Sequence, residues 1–157
     1  MNRRHFIRVA AGVTIPLTVG PLWSKRAESD PWSSNELMEP GVLATMLRES
    51  SKPLIISVGF PMLYRQKHIL HALLAGPANK PEGISQLTEA VARTPKNSSI
   101  VIYCGCCPMT QCPNLRPGFS HLKDLGYSDI RVLNLPMNFL TDWTNKGYPV
   151  ESSLSTR

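Results

Sequence analysis

All four cysteines of the chain fall inside nine consecutive residues, Cys104-Gly105-Cys106-Cys107-Pro108-Met109-Thr110-Gln111-Cys112. Four thiols this close in a polar, Pro-containing turn point to sulfur chemistry, since small thiols that only fill a core do not cluster in turns. They follow Ser99-Ile100-Val101-Ile102-Tyr103, a β-branched and aromatic run that predicts a strand. Leu115, Phe119, Leu122 and Leu125 come next, and their spacing predicts a helix with Gly126 as its C-terminal cap. A thiol in a strand-to-helix turn meets inward-pointing backbone amides, loses its proton more readily and becomes a nucleophile. The position directly after the strand favours Cys104 in that role, with Cys112 as the rival. The loop at Gly105, Cys106 and Cys107 would supply amides for an anion, and the planar fork of Arg116 would suit an oxyanion.

Other fates of these thiols stay open. Cys107 and Cys112, with four residues between them, are candidates for a loop-stiffening disulfide, whereas adjacent Cys106 and Cys107 would need a strained peptide. Cys106 could resolve a sulfur-loaded Cys104 into a disulfide. Alternatively Cys104, Cys106, Cys107 and Cys112 together could bind copper(I) or zinc, without the Cys-x₂-Cys pairs that usually build closed zinc sites. His68, His71, Met109 and Met137 would be the supplementary ligands, against their blander roles as structural or space-filling residues.

The elements that must position these residues alternate between strand and helix. Leu54 to Val58 is a continuous apolar run after Pro53, the pattern of a strand covered on both faces. Ile130 to Leu135 is another such run. Helices are predicted over Pro40 to Glu49, Pro81 to Thr94 and Phe139 to about Gly147 from the spacing of Leu43, Met46, Leu47, of Ile84, Leu87, Val91, and of Phe139, Leu140, Trp143. Such alternation implies an α/β domain with a parallel sheet, in which chemistry occurs where strands end and helices begin.

The chain has 157 residues, room for one domain, with 42% hydrophobic and 18% charged residues, too apolar for disorder. The net charge of +6 is concentrated at the start, where Arg3, Arg4, Arg8, Lys25 and Arg26 precede the first acid, Glu28. Without those five, 12 basic residues face 11 acidic ones, so a nucleic-acid partner gains no support. Residues 1–27 read as an export signal: a basic start, an apolar stretch from Val9 to Leu22 too short to span a bilayer comfortably, then Lys25 and Arg26. Residues 28–36 read as a linker, 37–151 as the domain and 152–157 as a tail. No paired-carboxylate, Ser-His-Asp or Gly-rich phosphate pattern occurs, which turns the reading away from hydrolases and nucleotide enzymes.

Two resemblances sharpen this picture. Arg3-Arg4-His5-Phe6-Ile7 resembles the twin-arginine signal, which implies the twin-arginine translocation machinery as a partner and a periplasmic or otherwise exported location. No clear small-x-small cleavage site precedes Glu28, so retention as an uncleaved anchor is the alternative to a protein without a membrane span. Residues 37–151 resemble the rhodanese family of sulfurtransferases. The resemblance rests on the strand Ile100-Val101-Ile102-Tyr103 delivering Cys104, on Arg116 at a helix start, on Leu122 to Tyr127 with Gly126, and on Trp143 with Gly147-Tyr148-Pro149-Val150-Glu151. Lys67-His68-Ile69-Leu70-His71-Ala72 also matches the family's Gly-His-Ile-Pro-Gly-Ala segment at His68, Ile69 and Ala72.

This resemblance implies a parallel five-stranded sheet flanked by helices. It also implies transfer of a sulfane sulfur, from a small donor such as thiosulfate or polysulfide, through a persulfide on Cys104 to a thiol or protein acceptor. No cofactor beyond that covalent intermediate is implied. The chain departs from the family pattern at Ser57 and Gly59, where Asp and Arg are usual, and at Asn138-Phe139, where Gly-Gly is usual. The eleven residues between Cys104 and Arg116 form a longer loop than the family's.

Overall fold

A computed structural model describes residues 32–49 and 52–154. Residues 1–27, the segment expected to be an export signal, lie outside the described residues. In chain order the strands and helices are β1 (Leu37–Met38), α1 (Pro40–Met46), β2 (Leu54–Ser57), α2 (Pro61–Gln66), β3 (His68–Ile69), β4 (Leu73–Leu74), α3 (Pro81–Val91), β5 (Ile100–Tyr103), α4 (Leu115–Asp124), β6 (Ile130–Leu133), α5 (Phe139–Asp142) and β7 (Val150–Glu151). Five strands form one sheet in the order β1-β6-β5-β2-β4, every neighbouring pair parallel. The expected α/β class and five-stranded parallel sheet are what the structure has. A second, two-stranded ribbon pairs β3 with β7 antiparallel.

Four-residue strands suffice because they are buried on both faces. All of Ile100, Val101, Ile102 and Tyr103 are buried in β5, the central strand, which pairs with β2 on one side and β6 on the other. Alternation divides the core in two. Ile56, Ile100, Ile102 and Val132 face Leu87 and Val91 of α3 and Leu115, Phe119 and Leu122 of α4. Ile55, Val101, Tyr103 and Leu133 face Leu43 and Ala44 of α1, and Trp143 after α5. Three helices begin with proline, whose fixed φ suits a first turn and whose missing N–H costs nothing there. Leu115, Gly118, Phe119 and Leu122 of α4 are buried, the i, i+3, i+4, i+7 stripe that the sequence displays.

The differences from the sequence reading lie at the margins. Each predicted helix ends earlier than its apolar spacing suggests: α1 at Met46, α3 at Val91, and α5 at Asp142 before a separate 3₁₀ turn, Thr144–Lys146. The described part of the segment expected as a linker folds onto the domain. Trp32 stands edge-on to Phe119 at 5.3 Å, and Ser33 and Glu36 form a capping box around a 3₁₀ turn. The short elements β1, α2, β3, β4 and β7 were not foreseen. Two-residue strands carry too little pattern to read, and Pro61–Gln66 presents no apolar stripe, all six of its residues being at least partly exposed.

Candidate active site

The helix after β2 (α2) packs on the Tyr103 side of the sheet, through Tyr64, whereas the helix after β5 (α4) packs on the other. Adjacent parallel strands whose following helices diverge leave a crevice at their C-terminal ends. A cleft of about 500 Å³ lies there. It is lined by Ser57 from the end of β2, by Leu63, Tyr64, Gln66 and Lys67 from α2 and its end, by Tyr103 to Cys106, and by Asn138, Phe139, Leu140 and Thr144. Leu63 and Leu140, which line it, are exposed apolar residues, and Phe60 and Met62 at the start of α2 are exposed as well.

Cys104 stands at the floor of this cleft, 6% exposed. Its Sγ is 3.2 Å from the Cys106 Sγ and accepts from Asn114 Nδ2 at 3.4 Å. The thiol is drawn down from its ordinary 9.0 to about 6. The hydrogen bond from Cys112 does most of this against the opposing effect of burial, with Asn114, the Cys106 thiol and the Cys106 N–H adding to it. The neighbours move the other way. Burial and the Cys104 charge push the Cys106 thiol up, and its hydrogen bond to Cys104 pushes Cys112 further still. The surroundings therefore favour the thiolate form at Cys104 and disfavour it at Cys106 and Cys112.

The backbone that makes this possible is specific. Gly105 has φ +79°, and a Cβ on it would meet Phe139 Cβ at 2.8 Å. The same residue's carbonyl accepts from Phe139 N–H at 3.1 Å, and Met109 N–H donates to Leu135 O at 3.1 Å, so the long loop is tied to the segment after β6. Phe139, standing where a glycine is usual in the resembled family, thus anchors the loop and also stacks on Tyr103 at 5.8 Å. A Cβ on Gly59 would lie 2.7 Å from Cys104 O and 3.1 Å from its Sγ. Gly59 admits no side chain without displacing Cys104.

The expected residues are not all gathered together. Cys104, Gly105 and Cys106 line the cleft. The Sγ atoms of Cys104, Cys106 and Cys112 lie within 4.8 Å of one another, a three-thiol set that could hold a soft metal ion. Cys107 stands outside that set, its Sγ 3.2 Å from Cys106. All four thiols are free in this structure, the disulfide candidates Cys107 and Cys112 among them, and Cys107 lies against Cys106. Arg116 is not among the residues lining the cleft: its guanidinium lies 3.5 Å above the Trp32 ring and 3.9 Å from Glu36. The basic residue that does line it is Lys67. The His68 side chain turns to Glu151, its Nε2 at 3.2 Å, and the His71 backbone N–H donates to the same carboxylate at 2.8 Å. Met109 is buried in the core beside the loop and Met137 is exposed.

The sequence reading passed over Asn114. It is completely buried, donates to Cys104 Sγ, and is oriented by Asn79 N–H, which donates to its Oδ1 at 3.2 Å. An asparagine just before a helix is ordinarily taken for a cap. Here it makes no capping hydrogen bond and is spent on the thiol. The available signal was an amide ten residues after a predicted nucleophile in the same loop.

Neither a family model nor a curated protein matches the sequence. Solved structures do. The rhodanese-like domain of the Alr3790 protein from Anabaena sp is 19% identical, with a TM-score of 0.57 over 78% of this chain and 83% of that one. The BH2092 protein from Bacillus halodurans is 19% identical, with a TM-score of 0.59 over 76% of this chain and 79% of that one. The fold is rhodanese-like. A thiosulfate sulfurtransferase from Pseudomonas aeruginosa aligns at 21% identity and a TM-score of 0.55, over 74% of this chain but 20% of its own longer one. On this rhodanese-like scaffold the loop after the central strand carries three cysteines beyond Cys104.

Proposed function

We propose that the protein is a sulfurtransferase in which Cys104 carries sulfane sulfur as a persulfide. The observation that supports this most is the cluster of donors on Cys104 Sγ, from Cys112, Asn114 and Cys106, at the floor of an open cleft. A thiolate prepared near neutral pH attacks the sulfane sulfur of thiosulfate or polysulfide, and sulfite or a shortened polysulfide leaves with the bonding electron pair. Lys67 is the cation placed to meet an anionic donor in the cleft. The persulfide's terminal sulfur then projects into the cleft, where a thiolate acceptor attacks it and restores the Cys104 thiolate. The exposed apolar side chains of Leu63 and Leu140 suit a bulky thiol or a protein carrying one.

Intact mass after incubation with thiosulfate or polysulfide tests the reading. The wild type is expected to gain sulfur that a thiol removes, and Cys104→Ser to gain none. Equal loading of that variant would overturn the assignment. A second reading, a soft-metal carrier, is favoured by the three-thiol set alone. Stoichiometric copper(I) or zinc in native mass spectra, lost in Cys104→Ser, would support it. We further propose, from Arg3-Arg4-His5-Phe6-Ile7, that the chain is exported by the twin-arginine route. Replacement of both arginines by lysine should then leave it in the cytoplasm.

A further inference from the structure

We propose that Cys112 resolves the Cys104 persulfide, so that the sulfur leaves as hydrogen sulfide while Cys104 and Cys112 become joined as a disulfide. This rests on the reading of Cys104 as a persulfide carrier, and it makes the protein a sulfide-releasing enzyme that needs no sulfur acceptor.

The argument is one of access. Cys104 borders both the cleft and the α3–α4 side of the core. Cys106 lines the cleft beside it, where an incoming donor or acceptor meets both. Cys112 is not among the residues lining the cleft. It is buried in the core with Met109 and Leu115, yet its Sγ lies within 4.8 Å of Cys104 Sγ. Its thiol is thus within reach of the Cys104 sulfur and screened from an acceptor that enters by the cleft. In simple transfer to an acceptor it would have no covalent part.

The step balances. The persulfide anion takes the Cys112 proton onto its terminal sulfur. The Cys112 thiolate then attacks Cys104 Sγ, the Cys104–sulfane bond breaks, and the pair leaves with hydrosulfide. Two thiol sulfurs are each oxidised by one electron and the sulfane sulfur is reduced by two. With thiosulfate as donor the sum is thiosulfate plus two thiols giving sulfite, hydrogen sulfide and one disulfide. A dithiol reductant, entering through the cleft where Cys104 is reachable, returns the pair to thiols.

The test mixes the fully reduced full-length protein with excess thiosulfate and no added thiol. Sulfite and sulfide are counted, intact mass is followed, and the product is peptide-mapped without reduction. The wild type is expected to yield sulfite and sulfide in equal amounts, one of each per chain, and to end two hydrogens lighter with Cys104 linked to Cys112. Cys112→Ser, whose hydroxyl still donates to Cys104, should yield sulfite more slowly, no sulfide, and a chain one sulfur heavier. Cys106→Ser should still release sulfide. Sulfite alone, with wild-type protein one sulfur heavier, would overturn the resolution and leave the transfer reading standing. Neither sulfite nor added sulfur in any protein would overturn both. Sulfide lost in Cys106→Ser but kept in Cys112→Ser, or a mapped bridge that omits Cys112, would overturn the role given to Cys112.

Discussion

Tyr103 and Cys104 are consecutive residues at the end of one strand, both weak acids and both nearly inaccessible, and the two faces of the sheet treat them in opposite ways. On the α1 side, Tyr103 receives the Ile69 N–H at 3.3 Å and a hydroxyl from Ser57, yet burial outweighs them and pushes its phenol further up. On the α4 side, Cys104 receives two S–H groups, an amide side chain and a backbone N–H, and these outweigh the same penalty. Burial is common to both. The difference lies in the number of donors aimed at one atom, and in the lower intrinsic cost of ionising a thiol. The Tyr103 surroundings disfavour the ionised form and the Cys104 surroundings favour it.

The comparison can be broken most forcefully at Gly59. Gly59→Ala puts a methyl group against Cys104 O and Sγ, and a displaced nucleophile is expected to lose ~10²-fold in the rate of persulfide formation. Circular dichroism and thermal melting would show whether the fold survives; an unchanged rate would mean that the contact is tolerated. Asn114→Ala removes one donor and leaves the Asn79 N–H without its acceptor. The midpoint for alkylation of Cys104, about 6 in the wild type, should rise by about one pH unit. That would slow reaction about tenfold at acid pH and hardly at all above pH 8. Stability should fall by ~1–3 kcal/mol.

The thiols also set the sign of a pH effect on stability. Cys104 ionises more readily folded than unfolded, so it contributes stability that grows as pH rises from about 6 to 9 and is lost again on acidification. Cys106 and Cys112 are harder to ionise folded, so above 9 they reverse the trend. Denaturant midpoints measured against pH should therefore pass through a maximum near 9 that flattens in Cys104→Ser. The smallest effect is expected at Arg116. Arg116→Ala loses a stack on Trp32 and a 3.9 Å ion pair, so persulfide formation should stay within about twofold of wild type. A tenfold loss would return Arg116 to the site.

The scaffold was legible because parallel strands buried on both faces write themselves as unbroken apolar runs: Leu54 to Val58 and Ser99 to Tyr103 located β2 and β5 with one residue to spare. The place of Cys104 at the cleft followed from the same rule, since it directly succeeds the strand. What could not be read was direction. Whether Arg116 turns to the cleft or to Trp32 depends on a helix rotation and on an aromatic residue 84 positions away, in a segment whose composition suggests only a linker. Asn114 was hidden for the complementary reason: one residue type serves as cap or as thiol donor, and only the depth of its burial distinguishes them.

The β3–β7 ribbon has a consequence for the order in which the cleft is assembled. The donors around Cys104 come from within ten residues of it, and such short loops close cheaply. The opposite wall, α2, is secured from behind by the last strand: Ser152 and Ser153 donate to Arg65 O, and Glu151 holds His68 and His71 across some eighty residues. Contacts so distant in sequence form late in folding and late in synthesis. The donors around Cys104 are thus drawn from one short stretch of chain, whereas the wall facing them waits on the last strand of the domain. That wall is secured only when Val150 meets Ile69.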